Sequence, residues 1–179
     1  MHSVFKNRIK KTYYITSGFI VLGIMTGMGN ANAQSTLLGS NGAWEASMEK
    51  SGSKQVCFMG SEPIKTVGKI KGRSRSYLMV AHRPQEKSLN VVSYRAGYDF
   101  KPGSEVKIVI AKKTYKLFTD DGYAFAYDSK SDRLLVNTMI KSNRLKLTGK
   151  SKNNKTVTDT YSLKGFTAAY KRISKACKV

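Results

Sequence analysis

From Ala43 onward, turn-forming residues interrupt the chain roughly every 8–12 positions, and a chain cut that often has few folds open to it. Candidate strands are Ala43–Glu49, Gln55–Met59, Tyr77–Arg83, Leu89–Arg95, Glu105–Ile110, Thr114–Phe118, Gly122–Tyr127, Leu134–Met139, Arg144–Thr148 and Thr156–Tyr161. Between them stand Ser51-Gly52-Ser53, Gly60-Ser61, Arg83-Pro84, Lys101-Pro102-Gly103, Asp120-Asp121-Gly122 and Lys152-Asn153-Asn154. The intervals hold no crossover helix, so a parallel α/β sheet is excluded and a mainly β domain, an antiparallel sandwich or barrel-like fold, is expected. Two segments alternate strictly. Val106, Ile108 and Ile110 share one face of Glu105–Ile110, and Leu145 and Leu147 share one face of Arg144–Thr148, with Lys107, Arg144 and Lys146 opposite. Each strand is expected to be apolar on the core side and basic outside.

One α-helix is expected, at the C-terminus over Lys164–Ala176 with Ser162 as its N-cap. Leu163, Phe166, Tyr170, Ile173 and Cys177 recur at spacings of 3, 4, 3 and 4, which confines them to about 80° of the helix circumference. That stripe packs the helix on the sheet and carries Cys177 on its buried side. The only other cysteine is Cys57. Two cysteines in an exported chain predict a structural disulfide that staples the C-terminus to the first third of the domain. Neither sits in a CxxC pair, so redox exchange and a zinc ribbon have no support.

Export itself is read from the first 33 residues. Lys6, Arg8, Lys10 and Lys11 precede an apolar run from Ile15 to Gly29, and Ala31-Asn32-Ala33 forms a small-x-small cleavage site. The run is shorter than the ~20 residues that cross a bilayer, and no cysteine lies near the cleavage point to take a lipid. The expected organisation is a signal peptide over 1–33, a flexible polar leader over 34–42 and a single β-rich domain over 43–179. No transmembrane segment remains after cleavage, and the expected location is the periplasm, the outer surface or the medium.

The formal charge is +21, and residues 1–33 supply four cations and no acid, which leaves +17 on the remaining 146 residues. A field of that size draws in anions and is screened by salt. The charge admits nucleic acid, an anionic polysaccharide, lipopolysaccharide or an anionic membrane face as partner. A structural envelope role with a protein partner is the other reading. No RNP-like or OB-type motif supports nucleic acid.

Enzyme chemistry finds no foothold. The one histidine after residue 33 is His82, no nucleophile elbow accompanies it, and two cysteines with one histidine cannot make a tetrahedral zinc site. Asp120-Asp121-Gly122 lacks calcium-loop spacing and reads as a hairpin turn. No Gly-rich phosphate loop occurs. The chain is therefore read as a binding protein with no catalytic residues, no metal and no cofactor.

Two basic segments remain. Lys69, Lys71, Arg73 and Arg75 fall at every second position and, in an extended chain, would project as a comb at ~6.7 Å intervals, close to the phosphate spacing of a polyanion. Around the other, Lys141–Lys155, Arg144 and Lys146 are the candidate binding residues.

Trp44, Cys57 within Gln-Val-Cys-Phe-Met, and the closing Ser162-Leu-Lys-Gly-Phe-Thr-Ala-Ala-Tyr-Lys-Arg-Ile-Ser-Lys-Ala-Cys177 resemble the invasion-associated locus B family of alphaproteobacteria. The resemblance implies an exported β-sandwich-like protein, linked in some bacteria to host-cell entry, which adds a host-surface component to the expected partners, with Cys57 and Cys177 at the family's disulfide positions. It carries over no catalytic residue.

Overall fold

The computed structural model describes residues 34–179; residues 1–33, expected to be a signal peptide, lie outside the described residues. Eleven strands form one sheet: β1 (Gln34–Asn41), β2 (Trp44–Ser51), β3 (Lys54–Ser61), β4 (Lys65–Val67), β5 (Tyr77–Arg83), β6 (Ser88–Arg95), β7 (Glu105–Ile110), β8 (Lys113–Asp120), β9 (Tyr123–Phe125), β10 (Arg144–Lys150) and β11 (Thr156–Ser162). Their order is β1-β2-β3-β5-β6-β9-β8-β7-β10-β11-β4, every pairing is antiparallel, and β1 and β4 are the edges. The sheet is not closed into a barrel. It folds over so that Tyr94 of β6 and Tyr161 of β11 meet edge to face, 6.4 Å between ring centres.

Two helices complete the core, α1 (Ser129–Ile140) and α2 (Phe166–Cys177). α2 lies on the inner face of β1, β2, β3 and β5 and buries Phe166, Ala169, Ile173 and Cys177. Phe166 packs edge to face on Trp44 at 4.9 Å, and the Trp44 indole N–H donates to the Ser162 carbonyl at 2.9 Å. The Cys57–Cys177 disulfide is formed, across a separation of 120 residues. Ser162 is not the helix cap; its Oγ accepts from the Lys164 amide, and the helix starts after Gly165.

Three further sequence expectations are corrected. Gln34–Asn41, expected as a flexible leader, is the edge strand β1, paired with β2 through a two-residue turn. Leu134–Met139, expected as a strand, lies inside α1. There Asp128 caps the helix by accepting from the Ser131 amide at 2.7 Å, and Asp132, Leu135, Val136 and Met139 recur at helical spacing and are buried. The basic comb is not extended: β4 ends at Val67, and a turn at Lys71-Gly72 follows.

Asp132 closes a gap in the sheet. β9 pairs with β6 only over Ser93–Arg95, and the Val92 amide next to it donates to Asp132 Oδ1 at 2.8 Å. Burial pushes this carboxyl up to about 6, against the single amide that favours its charge. The unfolded chain releases this proton near pH 4, so Asp132 favours the fold below that pH, and the contribution is lost as pH rises through about 6. Asp132→Asn keeps the acceptor without the charge. It is expected to raise stability by about 1–2 kcal/mol above pH 6, with the gain fading toward pH 4, in urea titrations at both pH values.

Candidate functional site

The alternation of β7, β10 and β11 divides the second half of the sheet into a dry side and a wet side. Val106, Ile108, Ile110, Leu145, Leu147 and Tyr161 point into the core, while Lys107, Val109, Arg144, Lys146, Thr148, Thr156 and Thr158 stand on the outer face. Register sets the cations beside one another. Lys146 neighbours Val109 on one strand and Thr160 on the other, and Thr160 neighbours Lys65 of β4. One row along, Lys107 lies directly opposite Lys116 of β8 and is followed across the sheet by Thr148 and Thr158. Like charges facing across a strand pair oppose folding by a few tenths of a kcal/mol or more.

Acids do little to relieve that repulsion. Glu105 is bound by Lys116 at 2.8 Å and accepts from the Tyr127 hydroxyl at 2.6 Å; hydrogen bonds from both hold its carboxyl below its ordinary value. Among the described residues Lys65, Lys107, Arg144, Lys146 and Lys150 have no ion pair.

At one end the flat face deepens into a cleft of about 470 Å³, lined by Lys101, Lys107 and Lys150, by Thr148 and Thr156, and by the one acid Glu105, which Lys116 binds. Its wall is the turn Lys101-Pro102-Gly103-Ser104, closed by Ser104 N–H donating to Lys101 O at 3.0 Å, with Gly103 at φ 69°. Pro second and a positive-φ Gly third are what a type II turn requires. The Lys101 amide donates to Lys150 O at 2.9 Å and ties the wall to β10. Three ammonium groups and the hydroxyls of Thr148 and Thr156, against one carboxylate already bound by Lys116, suit an anionic oxygen cluster such as phosphate, sulfate or carboxylate.

The candidate residues named from the sequence fall in different places. Arg144 and Lys146 are on this face. Lys69 and Lys71 are exposed on the loop that follows the edge strand β4. Arg73 turns inward, donating from Nε to Ala96 O at 2.8 Å and from both guanidinium arms to the buried Asp159. Arg75 pairs with Glu62 and lies over the Tyr77 ring, on the other half of the sheet. The four do not form one comb. Lys150 continues the alternation of Arg144 and Lys146 along β10, while Lys65, Lys101 and Lys107 join them through pairing between segments distant in sequence, which spacing along the chain does not reveal.

His82 sits apart from both surfaces and is buried in β5. Its Nδ1 accepts from the Asn90 amide at 3.1 Å, which leaves the proton on Nε2 facing Ser174 Oγ at 3.2 Å; burial lowers its pKa. Asp120 ends β8, and Asp121-Gly122 is the turn into β9, as expected. Among the described residues no group of histidine, cysteine or acidic side chains could hold a metal, and no helix is long and apolar enough to cross a membrane.

Residues 44–174 match the family model described as Invasion associated locus B (IalB) protein, a span that takes in every strand except β1 and most of α2. No curated protein and no solved structure matches the chain.

Proposed function

We propose that this chain, which belongs to the invasion associated locus B family, acts after export as a binding protein that holds an anionic polymer or envelope component on its basic sheet face. The observation that carries the reading is the set of unpaired cations Lys65, Lys107, Arg144, Lys146 and Lys150, brought onto one face by β4, β7 and β10. Cations on alternate residues of a strand are ~6.7 Å apart and those on adjacent strands ~4.8 Å, a grid on the scale of phosphates or acidic sugars in a chain. The threonines between them offer neutral donors without competing charge.

The disulfide supports export to an oxidising compartment, where such bonds persist. A binding role rather than catalysis is supported by the openness of the cleft to water and by the burial of His82 away from it.

The test is retention of the exported, disulfide-intact protein on heparin and on lipopolysaccharide across a salt gradient. Changing Lys107, Lys146 and Lys150 to Ser is expected to lower affinity roughly 10- to 100-fold at low salt and to reduce the log–log salt slope by about 2–3. Lys69→Ser with Lys71→Ser is expected to do less. Retention that ignores salt, or that the triple variant leaves intact, overturns the reading.

A further inference from the structure

The outer face of the first half of the sheet has a different character. Its outward residues are Glu45, Ser47 and Glu49 on β2, Val56, Phe58 and Gly60 on β3, and Tyr77 and Met79 on β5, while their alternates Trp44, Ala46, Cys57, Met59, Leu78 and Val80 are fully buried within. An outer sheet face is ordinarily polar, yet Val56, Phe58 and Met79 here lie half-buried beside one another.

A groove of about 540 Å³ runs across this face, with Gly60 in its floor, Phe58, Tyr77 and Met79 around it, and Glu45 and Glu62 at its margin. Glu62 is bound by Arg75, whereas Glu45 and Glu49 have no ion pair among the described residues. In a chain of net charge +21, this groove carries more acid than base.

Gly60 is the informative residue. In register it lies between Glu45 and Met79. Its φ is not in the left-handed region, and a Cβ there would meet Met79 Cγ at 3.5 Å, an ordinary contact. Conformation and packing therefore leave room for a side chain, although glycine weakens a strand interior. At the other strand glycine with an ordinary φ, Gly149, a Cβ would strike the Phe100 ring at 2.5 Å, so packing accounts for that one. A notch that the fold does not need, floored by glycine and walled by two aromatics and a methionine, has the form of a seat for an incoming side chain.

We infer that this groove docks an extended segment of a partner protein, one that places an aliphatic or aromatic side chain over Gly60 and a lysine or arginine beside Glu45. Apolar walls with a carboxylate at the rim select that pairing, and they reject the acidic polymers that suit the basic face.

The experiment is a two-dimensional amide NMR titration of the disulfide-intact protein with two pentapeptides of blocked ends, Lys-Leu-Lys-Phe-Lys and its charge-inverted counterpart Glu-Leu-Glu-Phe-Glu. The lysine peptide is expected to shift the amides of Ser47, Phe58, Gly60 and Met79 and, read from those amides alone, to bind at least fivefold tighter than the glutamate peptide, whose shifts fall on the β7–β10 face. Gly60→Val fills the notch with a residue suited to a strand; it is expected to weaken binding more than tenfold with no fall in melting temperature. Glu45→Lys serves as a second variant and is expected to reverse the preference between the peptides. Equal affinity of the two peptides at the groove amides, lysine-peptide shifts confined to the β7–β10 face, or undiminished binding by both variants overturns the inference. So does an absence of shifts at millimolar peptide.

Discussion

Asp159→Ala is expected to destabilise the fold by about 3–5 kcal/mol, among the largest effects of any single substitution in this chain. The carboxylate is fully buried on β11 and accepts from Thr66 Oγ1 at 2.7 Å, Ser76 Oγ at 2.8 Å, the Tyr94 hydroxyl at 2.8 Å and both arms of Arg73. Burial alone would raise its pKa, but the hydrogen bonds from Arg73, Thr66, Tyr94 and Ser76 outweigh it and hold the carboxyl below its ordinary value. Removing it leaves a nearly buried guanidinium and three hydroxyls without their acceptor, and those orphaned groups, rather than the lost attraction, set the size of the effect.

A carboxyl depressed in the fold stabilises above its ordinary pKa near 4, and the contribution is lost as pH falls through the lower folded value. Urea titrations from pH 7 to pH 2.5 should therefore show a loss in the wild type that is smaller in Asp159→Ala. A cost below about 1 kcal/mol at pH 7 would mean that Arg73 escapes to water and that the cluster is not an anchor. Because Arg73 and Thr66 both hang from Asp159, the variant should also loosen the loop carrying Lys69 and Lys71. Faster amide exchange there would register it.

The same residue explains where reading the sequence succeeds and where it stops. Tyr77–Arg83 and Glu105–Ile110 are found to the residue because alternation and flanking turns are local signals. The helix stripe ending at Cys177 is found for the same reason, although Ala169 rather than Tyr170 fills the centre of its buried face. Leu134-Leu135-Val136 reads as a strand because a short apolar run has no period of its own; the helical signal lies upstream, in the Asp128 cap and the Asp132, Leu135, Val136 and Met139 spacing. β1 is hidden because QSTLLGSN has little strand propensity, and pairing with β2 decides its state.

Arg73 is misread for a different reason. Asp159 lies 86 residues away, and nothing in Gly-Arg-Ser-Arg distinguishes an arginine that faces water from one that satisfies a buried acid. The basic face is legible by halves. Arg144 and Lys146 show themselves by alternation, but the register that sets Lys107 and Lys65 on the same surface belongs to the sheet order. The Gly60 notch is not legible at all, since a glycine gives no sign of whether a turn, a close contact or an empty seat requires it.

Replacing both Cys57 and Cys177 by Ser is expected to lower stability by about 2–5 kcal/mol, with the chain-entropy account placing a 120-residue loop near 5 kcal/mol. The bond joins the last turn of α2 to β3, but it does not hold that helix alone. Phe166 is locked on Trp44, Gln55 Nε2 donates to Ala176 O at 2.8 Å, and Tyr170 donates to Asn90 at 2.6 Å above His82. Those contacts survive the substitution, so the loss falls mainly on the unfolded chain, which regains the freedom that the cross-link removes. The denaturation midpoint is therefore expected to drop while amide protection in Phe166–Ala169, and the anion affinity proposed for the distant β7–β10 face, persist in the folded protein. Loss of protection throughout α2 under native conditions would instead make the bond the seat of the helix rather than its staple. Reduction of the wild-type protein should reproduce the double variant. On this account the chain reaches its full stability only where thiols are oxidised, and the basic face proposed to bind anions, built on strands that the disulfide does not touch, does not depend on that compartment.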